Sequence, residues 1–92
     1  MGRPTSRFRE LLQEAPPVIL IRGARGVYTL AVWTVLCGRE DEFVALWREL
    51  AHWTLTRFPN AQGTLLRDRE RPNHFVSFGP WENLEVIQEW RS

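Results

Sequence analysis

The sequence predicts an α+β fold, in which a four-stranded antiparallel sheet carries its helices on one face. The clearest strand signal is VYTLAVWTVLC at 27–37, which is rich in β-branched and aromatic residues and is apolar on both alternating faces, as a central strand is. Residues 39–58 repeat apolar side chains with helical periodicity. Two more strand-like segments, 64–70 and 74–78, are joined by a tight turn and predict a hairpin.

The N-terminal part of the chain predicts a short helix followed by a strand. Residues 5–14 carry an apolar stripe with helical spacing, and two prolines directly after them favour its end. VILI at 18–21 is typical of a short buried strand, and RGARG at 22–26 supplies two glycines for a turn. We therefore expect the VILI segment to pair antiparallel with the long strand.

The two faces of the long strand have different expected partners. Alternation places Val27, Ala31, Trp33 and Val35 on one face, and Tyr28, Leu30, Val32 and Leu36 on the other. We expect the face with Trp33 to lie under the helices, where the small side chain of Ala31 leaves room for a pocket. The face with Tyr28 is expected at an interface between subunits.

The main helix is predicted from its charge and its apolar face. Glu40, Asp41 and Glu42 lie in its first turn, where the helix dipole favours acidic side chains. Its apolar face comprises Phe43, Leu46, Trp47, Leu50, Trp53, Thr54 and Phe58. After the hairpin, Gly79 and Pro80 are expected to break the last strand, and a second helix is expected to begin at residue 82 or 83.

Length and composition exclude several classes of protein. The 92 residues predict one domain, and a net charge of +1 without a basic stripe argues against a nucleic-acid partner. The apolar run at 27–37 is shorter than the ~20 residues that span a membrane. The charged N-terminus does not resemble a signal peptide, and the single cysteine, Cys37, suits a reducing compartment, so we expect a cytoplasmic protein. Two isolated histidines and one cysteine predict no metal site.

From residue 27 the order strand, helix, strand, strand, helix is that of a ferredoxin-like fold without its final strand. The segments VYTLAVWTVLCGREDEFVALWREL, GTLLRDRERPNHFVSFGPWEN and VIQEWRS resemble the antibiotic biosynthesis monooxygenase (ABM) domains of the dimeric α+β barrel superfamily. The resemblance covers 27–92 and rests on the order of a strand ending in Gly, an acidic helix start, a Leu-Leu-Arg-Asp arm, a Pro-x-x-Phe return strand, and Trp81 and Trp90. It implies a homodimeric α+β barrel.

The N-terminal segment resembles the part of an ABM domain that normally follows the second helix. We interpret 1–92 as a single ABM-like domain, in which the helix and strand of 1–26 replace the family's C-terminal elements and 27–92 form the βαββα core. A circular permutation or an offset piece of a tandem array explains this order. The alternative is an N-terminal extension on a truncated domain, which would leave the edge of the long strand bare.

Tryptophan is the candidate residue type for binding a flat aromatic ligand, because the chain contains five of them. We expect Trp33, Trp81 and Trp90 to border one cavity between the sheet and the helices. Tryptophans also fill cores and interfaces, and for Trp47 we expect the core.

The polar candidates for catalysis and substrate binding are one histidine and one arginine. His74 begins the return strand, and histidine is the residue type that most often serves as a general base at neutral pH, although the alternative is a polar cap at the strand end. Arg67 is the candidate for orienting a phenolate or carboxylate. Its alternative is membership of a ladder of ion pairs along 67–71. His52 lies opposite the apolar helix face and is expected in solvent.

The resemblance implies a cofactor-independent monooxygenase that acts on a quinol or a polycyclic aromatic molecule of the antibiotic or polyketide type. In such chemistry the substrate supplies the electrons, while the protein supplies a dry pocket, orientation and one base. The alternatives are a non-catalytic module of the same fold, which binds a small ligand or serves assembly, and a polyketide cyclase. Haem degradation is not expected, because that variant needs an Asn on the first strand, where this chain has Ala31.

Overall fold

The computed structural model describes residues 4–23, 26–81 and 87. These residues form a 3₁₀ helix (Pro4–Glu10), strands β1 (Val18–Gly23) and β2 (Gly26–Thr34), helix α1 (Glu40–Arg57), and strands β3 (Thr64–Arg67) and β4 (His74–Trp81). The four strands make one antiparallel sheet in the order β1-β2-β4-β3. The predicted α+β class and the four-stranded antiparallel sheet are therefore confirmed.

Strand β1 lies beside β2, where a ferredoxin-like sheet places its last strand. Val18 pairs with Ala31 and Gly23 with Gly26, so the expected antiparallel hairpin is present and residues 24–25 connect its strands. On its other edge β2 pairs with β4 from Val27 to Thr34. The long strand is therefore central, as its apolar composition predicted.

The main core lies between α1, the N-terminal segment and one face of the sheet, which we call the inner face. Its buried residues are Phe8, Leu11, Val35, Phe43, Leu46, Leu50 and Phe75. Phe43 and Val35 are fully buried, and burial of an apolar side chain of this size stabilises the fold by about 1.5–3 kcal/mol. The predicted inward direction of Trp33 is confirmed, because its ring centroid lies 5.3 Å from that of Phe43.

The N-terminal helix is shorter than predicted. Its 3₁₀ turns end at Glu10, and the next residues instead hydrogen-bond to the last residue of β2 and the segment after it. The N–H of Gln13 donates to the carbonyl of Thr34 at 2.9 Å, and the N–H of Leu36 donates to the carbonyl of Leu11 at 2.8 Å. Leu12 forms an isolated bridge with Val35. Because backbone groups that bond to β2 cannot also continue a helix, the prediction of a helix to residue 14 was wrong.

The prediction that Gly79 and Pro80 break the last strand was also wrong. Strand β4 continues to Trp81, with Gly79 paired with Thr29 and Pro80 with Tyr28. The ladder with β3 ends at Phe78. Beyond that point β4 is paired on one side only, and a proline is tolerated on such an edge because its missing N–H removes no bond from a second ladder.

The ion-pair ladder expected along 67–71 is absent from the described structure. Strand β3 ends at Arg67, and Asp68 begins a turn in which its carboxylate accepts the backbone N–H groups of Glu70 and Arg71 at 2.8 and 3.1 Å. The side chain of Arg71 also pairs with Asp68 at 3.2 Å. The charges at this end of the hairpin therefore close a turn rather than alternate along a strand.

The predicted second helix lies almost wholly outside the described residues. Ile87 is helical and is 2% exposed, and it belongs to a second, smaller core cluster with Ala61 and Trp81. Among the described residues, no helix has the length and apolarity that crossing a membrane requires.

Candidate functional site

A cavity of about 670 Å³ lies between the inner face of the sheet and α1. Residues 12–16, which follow the 3₁₀ helix, form one wall, and Leu50, Ala51 and Thr54 of α1 form another. Six inner-face residues of β2 and β4 line the side that lies against the sheet. The lining is mainly apolar, and its charged members are Arg9 and Glu14, whose side chains are exposed to solvent.

Small side chains make up the sheet surface beneath the cavity. Ala31 pairs with Ser77, and Thr29 pairs with Gly79 one step further along the ladder. All four line the cavity, and we call them the cavity floor. Gly63 packs directly over Gly79, but the small side chains of Ala31, Ser77 and Thr29 leave space for a flat group to lie against the rest of the floor.

Trp33 and Trp81 stand at opposite ends of the floor. Trp33 pairs with Phe75 at one end of the ladder, and Trp81 pairs with Val27 at the other. Both indoles line the cavity. Trp33 also packs against the ring of Phe8 at 5.3 Å, and Trp81 makes an edge-on contact with Phe58 at 5.9 Å. Two of the three tryptophans expected around one cavity therefore line it, and the third, Trp90, lies outside the described residues.

Each indole donates a hydrogen bond to a hydroxyl of the floor. The Nε1–H of Trp33 donates to Ser77 Oγ at 2.8 Å, and the Nε1–H of Trp81 donates to Thr29 Oγ1 at 2.8 Å. Both bonds connect β2 with β4, and they run in opposite directions across the ladder. The two bonds fix the indole planes relative to the floor, since an indole has a single N–H donor.

Trp47 reaches the cavity through two glycines. A Cβ atom at Gly79 would lie 3.2 Å from the Cα of Gly63, and a Cβ atom at Gly63 would lie 3.3 Å from Cζ2 of Trp47. The residues therefore stack closely from the floor to α1, and a Cβ atom at either glycine would require its neighbour to shift by a few tenths of an ångström. Trp47 packs against the main core, as expected, but it also lines the cavity.

The polar candidates are not at the cavity. His74 pairs with Thr34 on the sheet face opposite Trp33, which we call the outer face. The guanidinium of Arg67 donates from Nε to the carbonyl of Pro72 at 2.7 Å and lies over the ring of Phe75. Neither residue is part of the cavity lining, so the lining gives no support to their predicted roles in catalysis and substrate binding. Trp90 lies outside the described residues.

Sequence reasoning missed Thr29, Ser77 and the two glycines as parts of the site. Alternation from Trp33 places Thr29 on the inner face, and the same alternation from Phe75 places Ser77 there. This alternation can be read from the sequence. Deciding which face of the return strand lies against the helix, however, requires the pairing register between β2 and β4. Within the described ranges, no group of three His, Cys, Asp or Glu residues is placed to hold a metal ion.

Comparison with protein-family models gives one match. Residues 26–92 match the model described as antibiotic biosynthesis monooxygenase. This range begins at the first residue of β2 and covers nearly three quarters of the 92 residues, while β1 and the 3₁₀ helix precede it. Comparison with curated proteins and with solved structures finds no match.

Proposed function

Because the chain belongs to the antibiotic biosynthesis monooxygenase family, we propose that it oxygenates a quinol-type or polycyclic aromatic small molecule without a cofactor. The observation that carries this proposal is the apolar cavity, with its floor of small residues between the indoles of Trp33 and Trp81. A flat aromatic ligand matches this shape, since indoles offer aromatic surface and the floor offers none of the bulk that would hold a ring away from the sheet.

The proposed reaction takes its electrons from the substrate. A ring CH₂ group activated by a conjugated carbonyl gives up two hydrogens and four electrons to O₂, one oxygen atom becomes a new carbonyl, and the other leaves as water. The chain orients the ring between the indoles and keeps bulk water from the reacting carbon. An electron-rich substrate needs no further reductant for this balance.

The cavity also supports a second candidate, a binding module without catalysis. The described lining contains no histidine, and the predicted base His74 lies on the other face of the sheet. A ligand-binding or assembly role needs the same floor and indoles but no base. The two candidates differ in whether oxygen is consumed.

Substitution of a small residue of the cavity floor by a larger one tests the proposed site. Ala31→Leu places a larger side chain on the floor of the cavity and is expected to abolish ligand binding, whereas Ala45→Leu on the exposed side of α1 makes the same change elsewhere. We expect wild type and Ala45→Leu to consume oxygen with anthrone or dihydroxynaphthalene substrates, without added metal or flavin, and Ala31→Leu to lose at least tenfold in rate. Mass spectrometry with ¹⁸O₂ should find one labelled atom in the product.

Three outcomes separate the candidates. Oxygen uptake that Ala31→Leu reduces supports the monooxygenase. Saturable binding of the aromatic compounds without oxygen uptake supports the binding module. Equal activity of both variants would show that the cavity is not the site.

We propose further that two copies of the chain pair through the outer face of the sheet. This face carries exposed apolar side chains on every strand, including Ile19, Tyr28, Leu66 and Phe78, which are 50%, 37%, 52% and 37% exposed. Helix α1 covers only the inner face. The sheet of a second copy would therefore bury the apolar side chains that the outer face of the described structure exposes to solvent.

A further inference from the structure

The two floor hydroxyls have an unused hydrogen-bonding capacity. A hydroxyl oxygen can accept two hydrogen bonds and donate one. Ser77 Oγ and Thr29 Oγ1 each accept an indole N–H, and within the described part of the chain neither hydroxyl donates a hydrogen bond. Because an indole only donates, each tryptophan occupies one acceptor position of its hydroxyl and leaves the O–H group to donate to something else.

The cavity is where that donor can find an acceptor. Ser77 and Thr29 both line it and are partly buried, and the groups around them are mainly apolar. Once a ligand excludes water from such surroundings, an unpaired donor carries a desolvation cost, which an oxygen of that ligand would remove. The pairs of Trp33 with Ser77 and Trp81 with Thr29 are therefore two directed donors facing one apolar space.

The register sets the spacing of the two donors. Ser77 is opposite Ala31, and Thr29 is opposite Gly79, so Ser77 and Thr29 are diagonal neighbours across the β2–β4 ladder. Diagonal neighbours in an antiparallel pair are about 7 Å apart. Two donors at that separation match oxygens on opposite edges of one ring better than oxygens on adjacent ring carbons, which lie much closer together than the donors do.

We infer that Ser77 and Thr29 are the specificity-determining donors of the cavity, and that its ligand is a flat ring system with acceptor oxygens on opposite edges, such as a para-quinone or a para-hydroxy ketone. This inference rests on the proposed function, in that it takes the cavity as the ligand site. Hydrogen bonds to an anionic oxygen are roughly twice as strong as those to a neutral one. The same donors therefore favour the ionised form of a bound phenol, which is the form that gives electrons to oxygen.

A series of ligands that differ in their number of acceptor oxygens tests the inference. Anthracene, anthrone and 9,10-anthraquinone have the same three-ring outline and carry no, one and two such oxygens. Binding is followed by tryptophan fluorescence under anaerobic conditions, which prevents turnover of anthrone. In wild type we expect affinity to rise along the series, and Ser77→Ala and Thr29→Val should each weaken anthraquinone binding about three- to tenfold.

Matched variants separate loss of the donor from damage to the fold. Ser77→Thr and Thr29→Ser keep a hydroxyl at each position and should retain most of the affinity for anthraquinone. Anthracene should bind all five proteins equally, because it has no oxygen for the donors to meet. If Ser77→Ala fails to fold because the Trp33 N–H loses its acceptor, the Thr29 pair and the wild-type series still decide the question.

Different results would contradict the inference about the donors and the proposed function. If the three compounds bind wild type without any dependence on their oxygens, or if the alanine and valine variants bind anthraquinone as wild type does, the inference about the donors is overturned and the cavity remains the ligand site. If none of the three compounds binds wild type, the proposed function is overturned, and this inference with it.

Discussion

Asp68 illustrates how one carboxylate can fix the end of a hairpin. It accepts the backbone N–H groups of Arg71 and Glu70 and pairs with the Arg71 guanidinium. These donors, with the backbone N–H of Arg71 first, hold the pKa of the Asp68 carboxyl below its ordinary value. A carboxyl with a lowered pKa in the folded state stabilises that state wherever it is ionised.

The pH dependence of stability tests this role. The contribution of Asp68 is fully present above the unfolded pKa of about 4 and is lost as the pH falls through the lower folded pKa. Asp68→Asn should therefore be less stable than wild type at pH 7, and the difference should shrink as the pH falls through the lowered pKa of Asp68 in the folded state. Urea denaturation midpoints measured from pH 2 to pH 7 give this comparison.

Glu70→Gln supplies the control for this prediction. Its carboxylate makes no hydrogen bond or ion pair within the described structure, although it lies in the same turn. We expect its urea midpoint to follow that of wild type at every pH. A difference between Asp68→Asn and wild type that stays constant across the range would contradict the electrostatic role of Asp68.

At the scale of the element, the strand faces follow from the sequence more closely than the strand ends do. The apolar alternation of β2 correctly assigned Trp33 and Tyr28 to opposite faces, because a strand has a fixed period of two. Gly79 and Pro80 were misread because their local tendency to end a strand is overridden by pairing with β2. The roles of Ser77 and Thr29 depend on a register between distant segments, which no local pattern contains.

The N-terminal segment is expected to be part of the folding unit. Phe8 and Leu11 are 4% and 5% exposed in the main core. Phe8→Ala should lower the free energy of unfolding by about 3–5 kcal/mol, and deletion of residues 1–17 by several kcal/mol, because two large side chains lose their burial. Thermal and urea denaturation provide the measurement.

Arg9→Ala is the matched change on the same 3₁₀ helix, because Arg9 is exposed. Its stability should lie within about 0.5 kcal/mol of wild type. An unchanged melting temperature after deletion of 1–17 would show that the segment is an appendage, and it would remove the support for our interpretation that 1–26 replaces the family's C-terminal elements.

For the whole molecule, the outer face is the surface that most needs an explanation. Apolar side chains from all four strands share it, and the charged residues of α1 are on the other side of the sheet. A stable subunit interface of the obligate kind commonly buries more than about 2,000 Å² and resembles a core cut in half. Sheet-to-sheet pairing would supply such an interface.

A charge on this face is expected to separate the subunits. Leu66→Glu introduces a carboxylate at a position that is 52% exposed in the single chain, and burying it unpaired in an interface would be costly. Equilibrium sedimentation at micromolar concentration should give twice the chain mass of 10.8 kDa for wild type. Leu66→Glu should give the mass of one chain.

Ala45→Glu makes the corresponding change on the exposed side of α1 and should leave the assembly intact. A wild-type protein that sediments as a folded single chain would exclude the proposed homodimer. The same result for both glutamate variants would show that the effect of Leu66→Glu is not specific to the outer face.

The cavity floor joins two strands that are far apart in the chain, and this has a kinetic consequence. The β1–β2 hairpin is local, whereas the ladder between β2 and β4 pairs Val27 with Trp81 and forms only after a long loop has closed. If that ladder is completed after the folding transition state, a ligand that lies across it binds only the native protein. Such a ligand is expected to slow unfolding in proportion to its occupancy and to leave the folding rate unchanged.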